Sequence, residues 1–219
     1  MSLNEKGTNC NLHGSSIYHR QIFDTRRDTK GNEQTETFVT VQYEAPMAIG
    51  ASKTAVDKFA ENVATRLKFN PSDSIEGLIE RSGGKLVVGS SGHGDIDSGS
   101  IIARAVDDYV IYISCYTSLK RERFTIAHEL GHLLLHFGKI KNANPEAVMR
   151  ATRNVDPNDK KQQKAEWKAN WFAAGFLMPR QAFSNAYENK GLSYAARLCG
   201  VSDSAAEIRV KTLKLKSRL

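Results

Sequence analysis

The chain has 219 residues, 40% of them hydrophobic and 25% charged, with a formal net charge of +7. These proportions are those of an ordinary globular protein, large enough for a real core in one or two domains. No run of about 18 apolar residues occurs, which excludes a membrane-spanning helix, and MSLNEKGTNCNLHG has no apolar core of a secretory signal. Three widely spaced cysteines, Cys10, Cys115 and Cys199, exclude a disulfide framework and supply no C-x-x-C metal pair, so a reducing, cytoplasmic setting is expected. The charge is uneven. Residues 1–100 balance at −2 and residues 101–219 at +9. A basic second half is compatible with nucleic acid, with an acidic partner, or with a solvated basic surface.

Residues 1–45 read as an N-terminal arm. The stretch 1–36 is polar and without period, and His13 and His19 read as surface histidines. Thr37 to Tyr43 alternates in β-formers and predicts a strand. Ser52 to Leu67 repeats apolar residues at helical spacing, with Ser52 as N-cap. Asn70-Pro71 breaks it, and a second short helix is expected over Ser72 to Arg81. Lys85 to Val88 reads as a strand. Gly89 to Gly99 reads as a loop, whose His93, Asp95 and Asp97 fit no calcium loop because Gly99 stands where an oxygen ligand belongs. No Gly-Lys-Ser/Thr follows, so it is not a phosphate loop either. Ser100 to Val106 and Tyr109 to Cys115 predict a hairpin turning at Asp107-Asp108, with one strand on an exposed sheet edge where a peptide could lie extended. The charged run Lys120 to Arg123 reads as a solvated helix start.

Phe124 to His136 reads FTIAHELGHLLLH and contains an H-E-x-x-H. Residues four apart share a helical face, so His128 and His132 can aim two imidazoles at one cation. Glu129, one residue on, points past the metal and is placed to act on water rather than as a ligand. Gly131 costs roughly 1 kcal/mol against alanine inside a helix, which implies that something approaches closely there. Gly138 is expected to end the helix. A catalytic zinc site needs a third protein ligand. The metzincin pattern cannot supply it, because Leu135 stands where glycine is required and Gly138 where histidine is required.

Lys139 to Lys161 is polar and reads as a loop or lid around one short helix. Lys161 to Pro179 then predicts a mostly buried helix closed by Met178-Pro179. Glu166 and Asn170 share one of its faces, and an acidic group on so apolar a helix usually has a partner; Glu166 is the best-placed third ligand.

The pattern R-x-x-x-A-HELGH-LLLH, followed by E-x-x-A-N-x-F-A-x-x-x-L-M-P, resembles the ImmA/IrrE family of metallopeptidases, over roughly Ser52 to the C-terminus. The resemblance implies an α+β, zincin-like metallopeptidase domain, placed at 46–187, in which a small sheet carries the active-site helix. It implies His128, His132 and Glu166 as ligands of one Zn2+ (Mn2+ as the alternative) and Glu129 as general base. It also implies a protein substrate, namely a helix-turn-helix repressor whose cleavage derepresses phage, mobile-element or stress genes. Departures from the family pattern are the Gly175-Phe176 pair and the long N-terminal arm. Transition-state stabilisation could fall to His136, Tyr112, Tyr116 or Trp167. Leu192 to Leu215, in a helical element placed at 188–219, resembles a helix-turn-helix and is expected to pack rather than read DNA; Asp203, Ser204, Glu207 and Arg209 are the polar residues its second helix offers. Two other readings stand beside the peptidase. One is a DNA-binding regulator with a structural metal, which would need four protein ligands. The other is a toxin–antitoxin component.

Overall fold

The computed structural model describes residues 18–19, 41–89, 100–152 and 155–216. The readings placed on Cys10, His13, His93, Asp95 and Asp97 lie outside the described residues. Within them the fold is α+β with one mixed sheet, as expected.

A short strand β1 (Tyr18–His19) pairs with β2 (Val41–Glu44), whose start lies inside the predicted Thr37 to Tyr43 segment. Helix α1 (Lys53–Arg66) begins at Ser52, whose hydroxyl accepts from the Ala55 amide. Helix α2 (Ile75–Arg81) starts later than the sequence suggests. Asp73 accepts from the Asn70 amide and closes a turn, and Ser74 caps the helix. Then come β3 (Gly84–Gly89), β4 (Ser100–Ala105) and β5 (Asp108–Ser114), followed by α3 (Leu119–His132) with Ser118 as cap.

The hairpin of β4 and β5 forms as predicted, pairing Ser100 with Tyr112 and Ala103 with Tyr109. Neither of its strands is an edge. The sheet order is β1-β2-β6-β4-β5-β3, where β6 spans Val148–Ala151. The free flank of β5 is taken by β3 in parallel register, and that of β4 by β6, antiparallel. The four residues of β6, inside what reads as a polar loop, also pair in parallel with β2. Met149 and Ala151 are buried there.

Gly138 does not end the metal-motif helix. It adopts right-handed helical dihedrals, and the chain runs from α3 through a π turn (Leu133–Phe137) into α4 (Gly138–Ala143). Its αR backbone takes any residue, so the C-cap reasoning does not apply. Helix α5 (Lys160–Leu177) is capped by Asp159 and stops at Met178 before Pro179, as predicted. Helices α6 (Arg180–Lys190), α7 (Leu192–Leu198) and α8 (Asp203–Leu213) complete the chain.

Alternate residues of β5, namely Tyr109, Ile111 and Ile113, are buried, and with Ile101, Ala103 and Met149 they form the core beneath α3. The other side of α3 packs on α5, which in turn packs on α1. Small residues set this spacing. A Cβ on Gly131 would lie 3.1 Å from Phe172 and 3.2 Å from the Ala169 backbone. One on Gly175 would lie 2.7 Å from Asp57 Oδ1. Both glycines therefore mark close helix crossings, and the second accounts physically for the Gly175 departure.

Arg123 is not part of a solvated run. Its guanidinium donates to the carbonyls of Cys199 (3.2 Å), Asp73 (2.7 Å) and Pro71 (2.6 Å), tying α3 to the α1–α2 loop and the α7–α8 turn. Five donors in a rigid fork suit this task. Arg209 is likewise removed from any external role. It is 2% exposed, donates to the Met178 carbonyl at 2.9 Å, and pairs with Asp57 and Glu61 of α1. A lone buried charge would be costly, so α8 is held where both carboxylates meet it.

Candidate metal centre

Two helices build the site. Helix α3 carries His128 and His132 four residues apart at its C-terminal end, and α5 crosses it so closely that Glu166 reaches both. Glu166 Oε2 lies 3.2 Å from His128 Nε2, and its Oε1 lies 3.1 Å from His132 Nε2. The two Nε2 atoms are 3.0 Å apart. His128, His132 and Glu166 thus converge as the spacing on α3 and the apolar setting of α5 suggest. Three ligand atoms bound to one zinc at about 2.0–2.1 Å and tetrahedral angles would sit roughly 3.3 Å from one another. The donor set, two imidazoles and a carboxylate, is also one that a borderline cation prefers. The residues fit such a cation.

Around the ligands the environment is graded. His132 is buried, whereas His128 and Glu166 are partly exposed. His128 Nδ1 lies 2.9 Å from Asn170 Oδ1. An amide oxygen only accepts, so Nδ1 carries a proton, and Nε2 is the ring atom turned to Glu166. Burial works against a charged His128, but the hydrogen bond to Glu166 and the charges of Glu129 and Glu166 outweigh it and raise its pKa. Burial lowers that of His132, and the neighbouring His128 lowers it further. Burial would raise Glu166, yet its hydrogen bonds to His128 and His132 win and hold it well below the usual carboxylate range. The carboxylate is charged at neutral pH. Glu129, one residue past His128, is buried at 1% exposure.

The remaining candidates are scattered. His136 is fully buried, 5.5 Å ring to ring from His132, and its Nε2 donates to the Ala165 carbonyl at 3.3 Å. It braces α5 next to Glu166. Tyr112 is half-buried on β5, and Tyr116 is 75% exposed before α3. None of the three lines the groove that opens beside His128 and Glu166, whereas Trp167 does. That groove, about 940 Å3, lies between α3, α5, α8 and the start of α1. No local pattern announces it, since its walls come from four separated segments. Asn170 was visible as sharing a face with Glu166, but not as the partner of His128.

No curated protein matches this chain. Among solved structures, a Mycobacterium tuberculosis transcriptional regulator superposes on 71% of the chain with a TM-score of 0.50 and 17% identity. The chain spans 46% of that protein's length, and at this identity the likeness is one of fold. The peptidase family described as the IrrE N-terminal-like domain matches residues 83–211, which includes every residue of the metal centre. More than half the chain is covered, so it belongs to the ImmA/IrrE family of metallopeptidase-like proteins.

Proposed function

We propose that this chain is a zinc-dependent endopeptidase in which His128, His132 and Glu166 hold the ion and Glu129 is the general base. The observation that supports it best is the convergence of two Nε2 atoms and one carboxylate from separate helices, within 3.0–3.2 Å of one another, at the mouth of a groove. Manganese is the alternative cation.

Zinc bound there would polarise a scissile carbonyl and acidify a water. The chain's own residues supply the rest. Glu129 takes the proton of the attacking water and returns it to the leaving amine. Asn170 keeps His128 in the tautomer whose Nε2 is free to coordinate. Trp167, exposed on the groove wall, offers an indole N–H to a substrate carbonyl.

The substrate, on the family resemblance, is a helix-turn-helix repressor in the cytoplasm. Among the described residues no helix is long and apolar enough to cross a membrane. A DNA-binding regulator is disfavoured, because Arg209 is buried and Asp203 and Glu207 are exposed on the same helix. A toxin–antitoxin role would share this chemistry and differ only in the partner.

The test is Glu129→Gln. The variant should bind about one zinc per chain, as the parent does, and cleave the repressor encoded beside it about 10²–10⁴-fold more slowly. Undiminished cleavage by that variant, or a parent protein that takes up no zinc, would end the assignment.

A further inference from the structure

The groove beside the metal centre has an apolar floor and a cationic rim. Phe124 of α3, Trp167 of α5 and Ile208 of α8 line it, with Trp167 52% and Ile208 63% exposed. Large apolar side chains grouped in a cleft next to reactive groups are the mark of a binding surface. Lys53, Lys120 and Arg121 line the same groove and are exposed. Lys53 donates to the Thr212 hydroxyl at 3.2 Å, and among the described residues none of the three has a carboxylate in ion-pair reach. The two carboxylates in the walls are already matched, Asp57 by Arg209 and Glu166 by the histidines. Among the described residues, the groove therefore presents three positive charges without an ion-pair partner beside apolar side chains.

We propose that this groove seats a substrate segment whose apolar side chains are flanked by Asp or Glu. The inference rests on the peptidase reading and adds the chemical class of its substrate. Apolar anchors from one face of a helix or turn fill the trough, while their acidic neighbours meet the rim, so charge selects the segment and burial holds it. His128 and Glu166 line the same groove, which brings a seated chain to the reactive groups. A nucleic acid is the poorer occupant. Its closely spaced phosphates would lie along Phe124, Trp167 and Ile208, apolar side chains that suit the anchors of a peptide better than a continuous row of charges.

The experiment uses the full chain carrying Glu129→Gln, loaded with zinc, and fluorescence anisotropy. The probes are a labelled leucine-rich peptide with flanking glutamates, the same peptide with glutamines instead, and single-stranded DNA of equal length. The acidic peptide should bind about tenfold more tightly than its amide twin, and this preference should shrink with added salt. Lys120→Glu combined with Arg121→Glu should abolish the preference, whereas Ile208→Ser should weaken both peptides alike, each variant retaining its zinc. Equal affinity for the two peptides, an unaffected charge-reversal variant, or tighter binding of the DNA would overturn the proposal. If these fail while Glu129-dependent cleavage stands, the groove assignment alone falls. If the preference holds but the parent protein cuts nothing, the peptidase reading falls instead.

Discussion

Asn170 shows how a single side chain sets the chemistry of another. Its oxygen fixes the His128 proton on Nδ1, so Asn170→Ala should leave the fold intact and lower zinc affinity about 10–100-fold, read by competition with a chelator. His136 is the opposite case, a histidine kept neutral. Burial, reinforced by His132, pushes its pKa down to about 3, against 6.5 in the unfolded chain. Between these values the unfolded chain binds a proton that the fold does not, so metal-free stability falls as pH drops below 6.5, by up to about 1.4 kcal/mol per unit. His136→Gln should flatten the slope between pH 6.5 and 5 in equilibrium denaturation. At this scale the sequence was readable where chemistry repeats at a fixed interval. His128, Glu129 and His132 announce themselves by spacing, and Glu166 by standing charged on an apolar helix. The Asn170 bond spans 42 residues and has no such signature.

Among elements, the crossing of α3 and α5 decides whether the site exists. Gly131 sits at that crossing, where an added methyl would meet Phe172 and the Ala169 backbone at 3.1–3.2 Å. Gly131→Ala should gain helix propensity yet force the helices apart, raising the zinc dissociation constant at least about tenfold with little change in helicity by circular dichroism. Helices α1, α3, α5 and α8 and the hairpin were legible because their apolar periods run for many residues, whereas α6 was not read. Strand β6 was not: four residues are too few to show an alternation, and its place is set by β2 and β4, which flank it. The π turn was missed for a related reason. Its sequence, LLLHF, has no breaker, and only packing reveals the wider turn.

For the whole molecule, the Arg209 cluster is the fastener between the two ends of the described chain, joining α8 to α1. Arg209→Met should cost about 3–5 kcal/mol in urea denaturation, because Asp57 would be left charged and uncompensated; adding Asp57→Asn should recover part of the loss. Long-range pairs of this kind, 152 residues apart, leave no trace in local patterning, which is why Arg209 read only as one of the polar residues that the last helix offers.

The order of the strands has a further consequence, one of timing. A ribosome delivers β4, β5 and both imidazoles of α3 well before β6, and Glu166 later still. Until β6 emerges, the β4–β5 ribbon lacks the neighbour it needs on one side, and until α5 follows, nothing crosses the histidine pair. On the proposed reading, cation capture by all three side chains is thus a closing event of biogenesis, and a nascent chain halted near residue 140 would hold its histidines without their carboxylate partner.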